Sequence, residues 1–220
     1  MATKLQVWKQ ALIHLELASI STLTDDVEAV NVFGNAWDGT VLEAFNSGDW
    51  NFAKRSVALS QNNTETASVG WSYVFDYPDD YLRTIAVSNI PRFDDPFGDF
   101  VDEGGFLHAN TTSIYLRYIS DDKVAVVEDW PTMFWRYVAL QLAVDTVGKL
   151  TNGTTLYQKL EAERDVAWRK AKSIDARNEN HKRVSTGSWL RSRLGGYGSL
   201  GDNRGGTLVG GQISFEEGDV

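Results

Sequence analysis

Asp49-Trp50-Asn51-Phe52-Ala53-Lys54-Arg55, followed at some distance by Gly70-Trp71-Ser72-Tyr73, marks the point where this chain changes its periodicity. Upstream, apolar residues recur every three or four positions, the spacing of helices. Downstream they alternate, the spacing of strands. Trp50 and Phe52 therefore stand at a junction between two kinds of structure. A buried aromatic side chain removes roughly 150–250 Å² from water, so rings at such a junction are expected to pin one layer onto another. Their other use, stacking on a ligand, requires them to stay exposed.

On the helical side, Leu5, Trp8, Leu12 and Leu15 fall on one face of a helix predicted over Lys4–Ser19. Asp25 with Glu28 has the spacing of a capping box, and Val27, Val30, Phe33, Trp37, Val41 and Ala44 make the stripe of a second helix. Residues 61–68 are small and polar and read as a loop. On the strand side, Trp71, Tyr73, Phe75 and Tyr77 alternate with Ser72, Val74 and Asp76. Further strands are expected over Leu82–Val87, Phe100–Glu103, Phe106–His108 and Ser113–Ile119, with Gly104-Gly105 as a two-residue hairpin turn. Strands in sequence joined by short turns favour an antiparallel sheet.

Asp129-Trp130-Pro131 opens a third helix that is apolar on most faces from Met133 to Leu150. Arg136 and Asp145 lie inside it, whereas a membrane span needs about 20 predominantly apolar residues. A central core helix is therefore expected, and no membrane partner. A fourth helix starts near Thr155, at capping-box spacing from Gln158. Its narrow stripe of Leu156, Leu160, Ala167, Ala171 and Ile174 is set among charged residues. Such a helix either presents a solvated face or meets a partner. In the second case Arg164, Arg169, Lys170 and Arg177 are the contact candidates.

Ten of the chain's 19 glycines fall between Ser185 and Val220. This stretch reads as a flexible arm. It also holds Trp189, Leu190, Arg191, Arg193 and Tyr197, anchors of the kind a tail uses to order against a neighbour. The expected fold is α+β: a four-helix bundle (residues 1–60 and 129–184) with an inserted antiparallel β region of about four strands (69–120). An extended glycine-rich arm (185–220) follows this 1–184 domain.

The net charge of −9 and the lack of cysteine narrow the chemistry. Nucleic-acid grip draws its affinity from Lys and Arg displacing counterions, so an acidic chain is a poor candidate for it. A thiolate zinc site cannot be drawn. His14, His108 and His181 lack partners at metal-ligand spacing, and no metal is expected. Gly196-Tyr197-Gly198-Ser199-Leu200-Gly201 matches G-x-G-x-x-G but lacks the surrounding βαβ unit, so no cofactor is expected either. The aspartate pairs Asp25-Asp26, Asp79-Asp80, Asp94-Asp95 and Asp121-Asp122 fall at expected caps and turns. No nucleophile–base pairing stands out.

Ala11-Leu12-Ile13-His14-Leu15, Ile20 to Asp26 and Glu28-Ala29 resemble the start of the phage tail tubular protein A family, the head-to-tail adaptors of short-tailed phages. Val41-Leu42, Asp49 to Arg55, Gly70 to Tyr73, Tyr77 to Arg83 and Tyr115-Leu116-Arg117-Tyr118 continue the likeness in matched order over about residues 5–180. Trp50, Phe52, Arg55, Trp71, Tyr73, Leu82 and Arg83 carry most of it. Two departures are visible: Glu16-Leu17 replaces a glycine after the first helix, and Asp49 replaces a proline before the tryptophan. The arm lies outside the resemblance.

The resemblance implies a non-enzymatic virion protein, made in the host cytoplasm and assembled as a dodecameric homo-oligomeric ring in the phage neck. Its partners would be other copies of itself, the portal protein, and the tail nozzle or next neck protein. Genomic DNA would pass through the lumen without sequence-specific binding. Two other classes stay open. The Trp71-Tyr73-Phe75-Tyr77 alternation fits a carbohydrate-binding module if those rings face solvent. A hydrolase could be assembled from dispersed aspartates, although nothing selects which.

Overall fold

The computed structural model describes residues 2–94, 97–151 and 154–178. The arm, with Trp189, Leu190, Arg191, Arg193 and Tyr197, lies outside them.

Helix α1 (Lys4–His14) begins at Thr3, whose hydroxyl accepts from the Gln6 backbone N–H while the Gln6 side chain accepts from that of Thr3. It ends earlier than Ser19. Glu16 adopts φ +59°, the Leu17 N–H donates to Leu12 O, and the Glu16 N–H donates to Ile13 O. This is a Schellman closure with glutamate in the left-handed position that glycine usually takes. Helix α2 (Glu28–Asn46) has Val27 at its N-cap, without a side-chain cap. The expected Asp25 box does not form. The Asp25 carboxylate instead accepts from the Ser21 and Thr22 backbone N–H groups and from the Thr22 hydroxyl, closing the turn before the helix.

Helix α3 (Thr132–Leu150) follows Pro131 and is buried along most of its length, packing against α1, α2 and α4 (Thr154–Ala176). Since α4 already starts at Thr154, Thr155 lies within its first turn. Among the described residues no helix is long and apolar enough to cross a membrane.

The β region departs from expectation. Among the described residues seven strands form two antiparallel sheets, not one inserted sheet of about four. The first has the order β1 (Lys54–Ala58), β7 (Tyr115–Ser120), β4 (Tyr81–Ser88). The second runs β2 (Gln61–Asn62), β3 (Tyr73–Asp76), β6 (Phe106–Ala109), β5 (Phe100–Glu103). A four-helix bundle carrying a small insertion is thus overturned, as is an all-helical 1–60: β1 lies in that segment and pairs with the central strand β7.

Strands adjacent in sequence do not all pair. The Pro78-Asp79-Asp80 turn hands the chain from β3 in the second sheet to β4 in the first. The Gly104-Gly105 turn does close a hairpin, with both glycines at positive φ (+63° and +84°) as a primed turn requires.

The two sheets explain the two cores. Along β7, Leu116 and Tyr118 enter a core with Phe75, Val87, Leu107 and Ile114, while Ile119 on the opposite face enters the helical core. That alternation places the first sheet between the helices and the second sheet. In β3 both Val74 and Phe75 are buried, so this strand does not have one wet face.

Candidate functional site

The tryptophan stretch lies between α2 and β1, where the helical core meets the first sheet. Trp50 is 1% exposed. Its ring meets Phe134 edge-on at 4.9 Å and lies 6.3 Å from Tyr137, both on α3, and its indole N–H donates to Ala44 O at 2.9 Å. That carbonyl belongs to the last turn of α2, where intrahelical partners run out. Gly48 is needed for the approach, because a Cβ there would lie 3.0 Å from the indole. Phe52, half-buried, packs on Phe134 at 4.9 Å and on Phe45 at 5.7 Å.

Asn51 fastens the far end of α4. Its backbone N–H donates to the Asp175 carboxylate (2.7 Å) and its side-chain amide to Asp175 O (2.8 Å). Ser47 adds two links, its hydroxyl accepting from Tyr137 and from the Trp168 indole. One short stretch thus ties together α2, α3, α4 and, through the Ser120 N–H on Ala53 O, β7.

Arg83 and Arg55, two of the resemblance residues, reach this junction by a second route. Arg83 donates to Gly48 O (3.1 Å) and pairs with Asp49 (2.5 Å). Arg55 pairs with Asp80 (3.2 Å) and Asp122. Asp80 also accepts from Tyr118 (2.8 Å) and Ser120 (2.6 Å). Burial works to raise the Asp80 carboxyl, but the Ser120 and Tyr118 hydroxyls and the Arg55 charge outweigh it and hold it below the usual carboxylate range. Burial, reinforced by Asp80, pushes the Tyr118 phenol up to about 12. Arg55 and Arg83 each face a carboxylate and the Tyr118 and Ser120 hydroxyls each have an acceptor, while the buried Arg83 Nε has no hydrogen-bond partner. Leu82 packs, half-buried, against the helical core.

Trp71 and Tyr73 are not brought to the junction. Trp71 lies half-buried just before β3, and Tyr73 packs on the second core. Of the rings that suggested a sugar platform, Phe75 is buried and Tyr77 stacks on Tyr81 at 4.2 Å.

The α4 candidates separate. Arg164 pairs with Asp165 (2.7 Å) and Glu161 (3.9 Å), and Arg169 donates to the Asp165 carbonyl. Arg177 is exposed just beyond the helix. Lys170 lines a cleft of about 640 Å³ with Gln10 and His14 of α1, Met133, Arg136 and Leu140 of α3, and Glu163, Val166 and Ala167 of α4. His14 sits 3.8 Å from Glu163; burial holds its imidazole below the ordinary value, with Glu163 opposing. Sequence periodicity did not point to this cleft. Its one signal was Arg136, a cation interrupting an otherwise apolar helix.

Among the described residues no cluster of three or more histidines or carboxylates could hold a metal ion. Comparison with protein-family models and with curated proteins finds no match.

Proposed function

We propose that this chain is a structural subunit of a phage neck, a head-to-tail adaptor that assembles as a ring between portal and tail. The observation that carries this reading is where the resemblance falls. Asp49–Arg55, Tyr77–Arg83 and Tyr115–Tyr118 are far apart in sequence, yet they meet in one hydrogen-bonded junction through Asp49–Arg83, Arg55–Asp80 and Tyr118–Asp80. A likeness in which three distant segments meet in one packing unit supports a shared architecture.

The charge supports the same reading. A chain of net charge −9 repels the DNA backbone, so a lumen lined by such subunits lets the genome slide rather than stick. The remaining surfaces, including the outer side of α4, serve neighbouring subunits and the portal. Electron microscopy of the purified chain with and without a portal tests the proposal. Closed rings, or added density on the portal, are expected. A chain that stays monomeric and leaves the portal bare contradicts it.

A further inference from the structure

Building on the ring reading, we infer that the cleft between α1 and α4 receives the segment Ile213–Asp219 of a second copy of this chain. The cleft is about 640 Å³, within the roughly 300–1,000 Å³ of sites that bury a ligand. Met133 and Leu140 of α3 and Val166 and Ala167 of α4 make it largely apolar, and Val166 is 58% exposed with nothing over it among the described residues.

The charges facing the cleft come from all three helices. His14 of α1 and Glu163 of α4 face each other. Arg136 of α3 and Lys170 of α4 have no carboxylate partner among the described residues. The site therefore asks for large apolar side chains followed by carboxylates.

Within residues 179–220, three stretches combine apolar and charged side chains; in one of them, 197–204, the single acid Asp202 is offset by Arg204. Residues 182–193 carry Lys182, Arg183, Arg191 and Arg193 with no acid, which Arg136 and Lys170 repel. Residues 213–219 carry Ile213 and Phe215, then Glu216, Glu217 and Asp219, with no base. Phe215 fits the apolar floor, and the three carboxylates meet the two cations.

Charge also argues for a second copy as the donor. Copies of net charge −9 repel one another, and a contact at which opposite signs meet offsets that repulsion. From Glu179 to Phe215 the chain, at roughly 3.3 Å per residue, reaches on the order of 100 Å, ample for a neighbouring subunit. One cleft and one donor segment per copy make a head-to-tail contact, the kind that closes into rings.

The test places a photo-crosslinking phenylalanine analogue at position 215 of the full-length chain and mixes isotopically light and heavy copies. Mass spectrometry should find light–heavy crosslinks into residues 133–140 or 162–170. Charge reversal by Arg136→Glu with Lys170→Glu should lower their yield about tenfold or more, and so should Glu216→Lys with Glu217→Lys; combining the two sets should restore it. Crosslinks confined to one copy, crosslinks to other surfaces, or no response to charge reversal each overturn the inference. The readout involves no portal, so the portal-binding experiment can fail or succeed independently of it.

Discussion

The Trp50 junction and the α1–α4 cleft share helices α3 and α4 but use them in opposite ways. At the junction, rings are covered and polar groups other than the buried Arg83 Nε are matched: the Trp50 indole has Ala44 O, Asn51 has Asp175, and Arg55 has Asp80 and Asp122. At the cleft, Val166 lies open beside half-buried Met133 and Ala167, and Arg136 and Lys170 lack an acid among the described residues. Matched polar groups hold a fold together. Unmatched ones beside apolar surface leave binding energy for something else. The aromatic and charged residues of the junction build the subunit, while the residues with binding capacity to spare lie on plainer sequence.

This contrast breaks first at Trp50. Trp50→Ala should cost about 3–5 kcal/mol, a large part of the roughly 5–15 kcal/mol that stabilises a typical domain. Arg136→Ala in the cleft should change stability by no more than about 0.5 kcal/mol. Thermal unfolding of the two variants measures both, and equal losses would erase the distinction. Next is Gly48→Ala, which drives a methyl into the indole face; about 1–3 kcal/mol of destabilisation is expected by urea titration.

Asp80 sharpens the comparison through pH. Its carboxyl is held below the usual range in the folded chain, so its contribution is complete above the ordinary carboxylate pKa and is lost as pH falls through the folded value. Asp80→Asn should therefore lower the melting temperature at neutral pH and flatten its decline in acid. An unchanged acid limb would show that the Arg55–Asp80–Tyr118 network is idle. The smallest effect has the opposite sign. Glu16→Gly relieves a left-handed glutamate and should stabilise by about 1 kcal/mol, readable in the same melts.

Parts of this architecture were legible from residues alone. The apolar run of α3 announced a central helix, Gly104-Gly105 a hairpin, and Trp50 with Phe52 a buried pin. The two-sheet arrangement was not. Lys54–Ala58 is a largely exposed edge strand whose demand is backbone pairing to β7, so it shows no apolar alternation. Gln61–Asn62 is polar and short, and looks like loop. Nor does local pattern tell that the Pro78–Asp80 turn leads to a different sheet, since pairing partners are chosen by tertiary packing. The cleft was hidden for a related reason: its lining comes from three helices, a few residues from each, and no single stripe encodes it.

The direct measurement is the mass of the assembly that the wild-type chain forms when mixed with a portal in solution. Ring formation predicts one discrete species whose added mass is a fixed multiple of the 24.5 kDa subunit. A chain that remains at the subunit mass, with the portal unchanged, would contradict the account.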